Sequence, residues 1–262
     1  MNHELTGTLP REVVRTRSLI GAWAAVSVLQ YFLAEAIVIS AWAAPQPYSR
    51  RYNLISDLGA VECGIYRGRE VCSPLHGVMN ASFLLQGSAM IIGAALVSTV
   101  VLGVAARRDL PATVIHPRVL LFTRLLIAAS GAGTILIGLF PEDVNEALHY
   151  TGAVLFFTAG GIALVIIGWS WRRLHWTSWL IFSAGALSLA STIAFGVVTL
   201  LFGLSNGPDL GTLERAMAYP ITIGLAIVGG RIAVGVHRAR ATARAEVRLA
   251  ATAPSVEPPR IR

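Results

Sequence analysis

SLIGAWAAVSVLQYFLAEAIVISAWA, residues 18–43, carries a single formal charge, Glu35, in 26 positions. A helix rises 1.5 Å per residue, so about 20 apolar residues cross a hydrocarbon layer of ~30 Å and this stretch is long enough to do so. Ala41-Trp42-Ala43 imitates a signal-peptidase site after a basic N-terminal region. The apolar run nevertheless far exceeds the roughly 7 to 15 residues of a cleavable signal, and we read it as a retained anchor.

Working outward, the rest of the chain repeats the pattern. Of 262 residues 55% are apolar and only 13% charged, against roughly 25% charged in soluble domains. Pro, Gly and charge mark off spans at residues 18–43, 75–105, 118–140, 148–171, 178–203 and 216–236. Lipid offers backbone amides no partner, so each span must be helical. The expected fold is all-α, a polytopic integral membrane protein with six transmembrane helices. Residues 1–17 form a cytoplasmic N-terminal segment, residues 18–236 the transmembrane domain, and residues 237–262 a basic, partly disordered cytoplasmic tail. The last ten residues, 253–262, are Pro-rich and expected to be disordered.

All 21 basic residues are Arg, and the net charge is +7. They cluster at span ends and in the tail, without the interleaved aromatics of a nucleic-acid site, so no nucleic-acid partner is expected. Arg11, Arg15, Arg17, Arg107, Arg108, Arg172, Arg173, Arg238, Arg240, Arg244 and Arg248 fall on one side. Glu142, Asp143, Glu146, Asp209 and Glu214 fall on the other. The positive-inside rule then places both termini in the cytoplasm of a multi-pass cell-membrane protein, although Arg50, Arg51, Arg67 and Arg69 in the first outer loop run against it. That loop also holds the two cysteines, Cys63 and Cys72, expected to form a disulfide that stabilises it by roughly 2.5 to 3 kcal/mol.

Polar residues gather where lipid should exclude them. Asn53, Ser56 and Asp57 follow the first span; Glu35 lies about 10 Å below its outer end, and Asn80 lies at a similar depth in the second span. His76, Asp143, His149, Glu214, Arg215 and Tyr219 stand at the outer starts of the second, fourth and sixth spans. An ionisable group inside a span costs about 2.5 to 3.5 kcal/mol and requires a partner, which Arg215, His76 or His149 could supply to Glu35. Arg124 and Arg231 are expected to snorkel to the opposite interface. Plainer roles exist for single members: interfacial histidines, a turn at Asp57, and a first-turn acid at Glu214.

Asn53-Leu54-Ile55-Ser56-Asp57-Leu58-Gly59, Leu139-Phe140-Pro141 with Asp143 and His149, and Leu213-Glu214-Arg215 resemble an uncharacterised bacterial and archaeal family of six-helix membrane proteins with an NxISDLG outer-loop motif. More remotely, ISDLG is similar to the outer-loop motif of the DRAM, Frag and Sfk-like membrane proteins. The resemblance implies six helices, the same outer cluster and an association with lipid organisation or lipid-anchor remodelling. The cysteine pair and the Arg-rich tail are peculiar to this chain.

Three functions are compatible with these residues. The first is binding or organising lipid headgroups at the outer cluster, with Arg215 facing a phosphate and Asp57, Glu35 and Asn80 facing amines or hydroxyls; membrane lipids are then the partners. The second is an intramembrane hydrolase in which His76 and His149 with Asp57 or Asp143 ligate Zn²⁺ and Glu35 or Glu214 acts as base. No pair of ligands has the i, i+3 or i, i+4 spacing of a zinc motif, and no cofactor fingerprint occurs, so no cofactor is expected on the first reading. The third is a transporter or accessory membrane subunit.

Overall fold

The computed structural model describes residues 16–97, 116–173, 176–206 and 209–252. Arg11, Arg15, Arg107, Arg108 and the Pro-rich end 253–262 lie outside the described residues. Among the described residues, six helical segments are long and apolar enough to cross a membrane, so the chain is an all-α polytopic membrane protein.

The first span is two helices, α1 (Thr16–Ser27) and α2 (Gln30–Ser40). The Ser27 hydroxyl donates to the Ala24 carbonyl at 2.7 Å, a local bond that competes with the helical ladder and bends helices. The next turns tighten to i→i+3 bonds, Leu29 N–H to Val26 O and Tyr31 N–H to Val28 O. Gln30, just past the break, donates to the Ser82 carbonyl at 3.0 Å, which ties the two halves to the second span.

The remaining spans are α3 (His76–Leu96), α4 (Pro117–Leu139), α5 (Glu146–Trp171), α6 (Thr177–Asn206) and α7 (Leu210–Thr252). Local chemistry sets several ends. Pro117 occupies the first turn of α4, where its missing N–H costs nothing. The Asn145 side chain caps α5 by accepting from the Leu148 N–H at 3.1 Å. Gly203, at φ 74°, interrupts the end of α6 with a conformation that L side chains rarely adopt. Arg124 donates to the Ala94 carbonyl at 2.7 Å and the Ala95 carbonyl at 3.1 Å, closing the C-terminus of α3.

Two boundaries differ from the hydropathy reading. Helix α3 ends at Leu96, where Val97 turns extended, and residues 98–105 of the expected second span lie outside the described residues. The sixth begins at Leu210 and continues to Thr252, so Glu214 and Arg215 lie within α7 rather than before it. A hydropathy average misses the earlier start of α7, since Glu214 and Arg215 lower the mean while leaving the helical hydrogen bonds intact.

The spans form a closed ring in chain order, with α7 returning to α1 and also touching α5. Glycines set the crossings. A Cβ on Gly87 would lie 2.4 Å from the Gly131 carbonyl, one on Gly133 2.5 Å from the Gly152 carbonyl, and one on Gly185 2.6 Å from the Gly161 carbonyl. In lipid, where burying apolar surface gives no net drive, such close backbone approach supplies the packing contacts. The segment between α2 and α3 folds over one end as a lid. It comprises a 3-10 turn (Ser56–Gly59) and a hairpin of β1 (Gly64–Tyr66) and β2 (Arg69–Val71), closed by a Cys63–Cys72 disulfide.

Replacing Gly131 by Val drives new methyl groups into the Gly87 carbonyl and Ile91. It should destabilise the α3–α4 crossing by about 1 to 3 kcal/mol, whereas Val at Gly77, whose Cβ position is open, should cost less than about 1 kcal/mol. Thermal unfolding of the two variants in the same detergent measures the difference; equal losses would contradict this packing.

Candidate functional site

The lid is bonded to the helix ends by buried charges. Arg215 is the centre. Its Nε and Nη2 donate to Glu35 Oε1 at 3.2 and 3.1 Å. Its Nη1 donates to the carbonyls of Arg50, Asn53 and Gly211 at 3.1, 3.0 and 3.0 Å, and Nη2 also meets the Tyr48 hydroxyl. Tyr219 donates to the same Glu35 carboxylate at 2.6 Å. A guanidinium has five N–H donors, and every nitrogen here is engaged by the protein. Arg215 therefore joins α2, α7 and the lid to one another.

A second knot lies beside it. Asp57, fully buried, accepts from the Leu54 N–H at 2.8 Å, the turn role open to it in the sequence. It also accepts from Arg69 Nε and Nη2 at 3.0 and 2.8 Å. Arg69 reaches Glu142 at a longer 3.3 Å. Burial, and after it the neighbouring Asp57 carboxylate, pushes the Glu142 carboxyl well above the usual range, with Arg69 pulling the other way. Asp143 Oδ2 accepts the backbone N–H groups of Val61 and Glu62, both at 2.8 Å, and fastens the far side of the lid.

The third group links lid and helices. Glu214 accepts from the Ser56 hydroxyl at 2.8 Å and from the Ile55 N–H. Ser56 Oγ is 3.1 Å from His149 Nε2, and His149 Nδ1 is 3.0 Å from the Phe140 carbonyl. Beneath these residues lies a narrow cleft of about 30 Å³. Ser56, His149 and Glu214 line its lid end. Deeper in, Tyr31, Gln86, Thr134 and Thr222 face it among Phe83, Phe156 and Phe157.

Of the expected site residues, Ser56, Asp143, His149, Glu214 and Arg215 bind the lid to the bundle, Glu35 and Tyr219 join α2 to α7, and Asp57 and Asn53 bond within the lid, Asn53 by accepting from the Ser49 N–H at 2.9 Å. Asn80 ties α3 to the lid by donating to the Gly59 carbonyl at 2.9 Å. His76 turns its Nδ1 to the Ser73 carbonyl at 3.0 Å, at the start of its own helix. Among the described residues no three His, Cys, Asp or Glu side chains are grouped to hold a metal ion. His76, His149 and Asp57 are not grouped in that way in this structure. Sequence reading missed Tyr48, Arg69, Glu142 and the cleft residues Tyr31 and Gln86. Gln86, an amide within an apolar span, carried the one signal that could have been found.

Asp57→Asn should lower stability by about 3 kcal/mol, because Arg69 keeps its buried charge and loses its closer partner. Glu142→Gln should leave stability equal or higher at neutral pH. A carboxyl whose proton affinity is raised by folding adds stability that is complete below its ordinary value of 4.5 and fades as pH climbs, by at most about 1.4 kcal/mol per pH unit. The Gln variant removes that slope. Thermal unfolding between pH 4 and pH 8 tests both; a Gln variant with an undiminished slope would overturn the assignment.

Comparison with curated proteins and with solved structures gave no match. The family described as "Protein of unknown function (DUF998)" matches residues 24–231, which reach from the first span into the last, and the chain belongs to this family of uncharacterised proteins.

Proposed function

We propose that the cleft beneath the lid binds the polar head of a membrane lipid, and that the head is uncharged and bears a hydroxyl or amide. One observation carries this reading: Tyr31 Oη and Gln86 Oε1, a donor and an acceptor, are buried without a hydrogen-bond partner, and both residues line the same cleft. A polar group left unmatched in a hydrocarbon environment costs about 1 to 3 kcal/mol, so an occupant that answers both atoms is favoured. Gln86 Nε2 is committed to Thr222 Oγ1 at 3.1 Å, which leaves its carbonyl oxygen as the acceptor aimed at a guest.

The charge of the guest follows from its surroundings. Arg215 has no nitrogen to spare, and Arg69 is committed to Asp57 and Glu142. A phosphate head would meet Glu214 instead of a cation at the cleft's lid end. The aromatic wall of Phe83, Phe156 and Phe157 suits the start of an apolar chain.

We place the lid outside the cell membrane, because the disulfide suits an oxidising compartment and Arg172 and Arg173 stand at the opposite end of α5. Single cysteines at Val61 and at Arg173, in a chain lacking Cys63 and Cys72, should be labelled by an impermeant thiol reagent only at position 61 in intact cells. The reverse pattern would invert the orientation.

The binding reading is tested by extracting the full chain with its surrounding bilayer and identifying the retained lipid by mass spectrometry. A hydroxyl- or amide-headed lipid should be enriched. Ala153→Phe, which fills the cleft, should reduce its retention at least about tenfold, equivalent to ~1.4 kcal/mol. Gln86→Leu should reduce it by roughly 3- to 10-fold through one lost hydrogen bond. Unchanged retention in folded Ala153→Phe protein would remove the cleft as the binding site.

A further inference from the structure

The chain Phe140 O, His149, Ser56, Glu214 can be satisfied only if it holds one proton that belongs to no single residue. A backbone carbonyl accepts and never donates, so His149 Nδ1, 3.0 Å from the Phe140 carbonyl, must carry hydrogen. A neutral ring then presents Nε2 as an acceptor to Ser56 Oγ, 3.1 Å away. Ser56 has one hydroxyl hydrogen, and Glu214 Oε1 lies 2.8 Å from the same oxygen. If that hydrogen points to His149, Glu214 must be protonated and donate to Ser56. If it points to Glu214, the ring must be an imidazolium donating from Nε2.

Both arrangements contain the same number of hydrogens. They differ by a shift of the Ser56 hydrogen and one proton along the relay, with no heavy atom displaced. Removing the proton leaves either Ser56 and His149 Nε2 or Ser56 and Glu214 Oε1 facing each other as two acceptors, which buried groups do not tolerate.

The charge inventory points the same way. Among the described residues, Glu35, Asp57, Glu142 and Glu214 are buried carboxyls at the lid. The cations buried with them are Arg215 and Arg69, whose side chain is 10% exposed. Arg215 is hydrogen-bonded to Glu35 and Arg69 to Asp57, so Glu214 has its compensating proton only through Ser56 and His149. Other groups face the relay from every side. Asp143, Tyr150 and the Ile137 carbonyl lie near the ring, while Tyr31, Tyr48, Asp57, Arg69, Glu142 and Arg215 act on Glu214.

The geometry points to His149, Ser56 and Glu214 as a proton-binding site, a relay that stores one proton at the lid end of the cleft and can exchange it with the cleft's occupant. All three residues line that cleft. The site does not depend on which occupant the cleft takes, because the hydrogen count is closed by the protein alone.

The test uses the full chain in lipid nanodiscs, without added ligand. The His149 ring is followed by nitrogen NMR of histidine-labelled protein and assigned by its loss in His149→Gln. The Glu214 carboxyl is followed by its infrared carbonyl band, assigned by its loss in Glu214→Gln or its displacement in Glu214→Asp, should Gln not fold. In the unmodified chain both signals should change at one pH midpoint, because two groups sharing a proton titrate as a unit. Ser56→Ala should separate the two midpoints by at least about one pH unit, a tenfold difference in proton affinity. Separate midpoints in the unmodified chain would overturn the relay. Midpoints that stay coincident in Ser56→Ala would also overturn it, because the coupling would then act through space and not through the hydroxyl.

Discussion

The pairing of Arg215 with Glu35 is the interaction on which the rest of this structure depends. Both side chains are buried, at 6% and 2% exposure, where neither charge could exist alone. Their contact fixes α2 against α7 and so closes the helix ring between its first and last members. The same guanidinium donates to three main-chain carbonyls, two from the lid and one from its own helix. A lysine could keep the charge but not this geometry, since three donors on a flexible stem cannot serve a carboxylate, a phenol and three carbonyls together.

The lid is held by the same logic applied twice more. Asp57 and Arg69 bind the 3-10 turn to the hairpin, and Asp143 holds Val61 and Glu62 to the connection between α4 and α5. Each acid lies close to a backbone or guanidinium donor, and the disulfide keeps the hairpin in the shape that presents Arg69. The exposed pairs Arg51–Asp209 and Arg67–Glu146 are of a different kind. Surface pairs of this sort contribute about 0 to 1 kcal/mol, so they follow the fold and do not set it.

Acids outnumber arginines under the lid, and this imbalance shapes the chemistry of the cleft. A membrane protein with two extra buried carboxyls either accepts protons or exposes the groups to water. Here Glu142 faces the hairpin, and Glu214 faces Ser56 and His149 at the edge of the cleft. The end of the cleft is therefore mildly acidic and hydrogen-bonding, without a free cation, and its depth is aromatic and aliphatic. On the proposed lipid-binding reading, such a lining would discriminate against anionic heads more strongly than it would select among neutral ones.

The sequence by itself determined the six spans, because a run of apolar residues long enough to cross lipid has only the helix available to it. It also marked Glu35, Asp57, His149, Glu214 and Arg215 as misplaced in an apolar chain, and brought Cys63 and Cys72 within the reach of one loop. Tertiary structure alone decided their partners. Glu35 and Arg215 are 180 positions apart, and only the closing of α7 onto the first span brings them together. The roles of Asn53, Arg69 and Glu142 were hidden because a loop residue's neighbours depend on how the lid folds, which hydropathy does not encode. The cleft was hidden for the same reason: Tyr31 and Gln86 are single polar residues on separate helices, and a cavity belongs to the space between helices and not to any one of them.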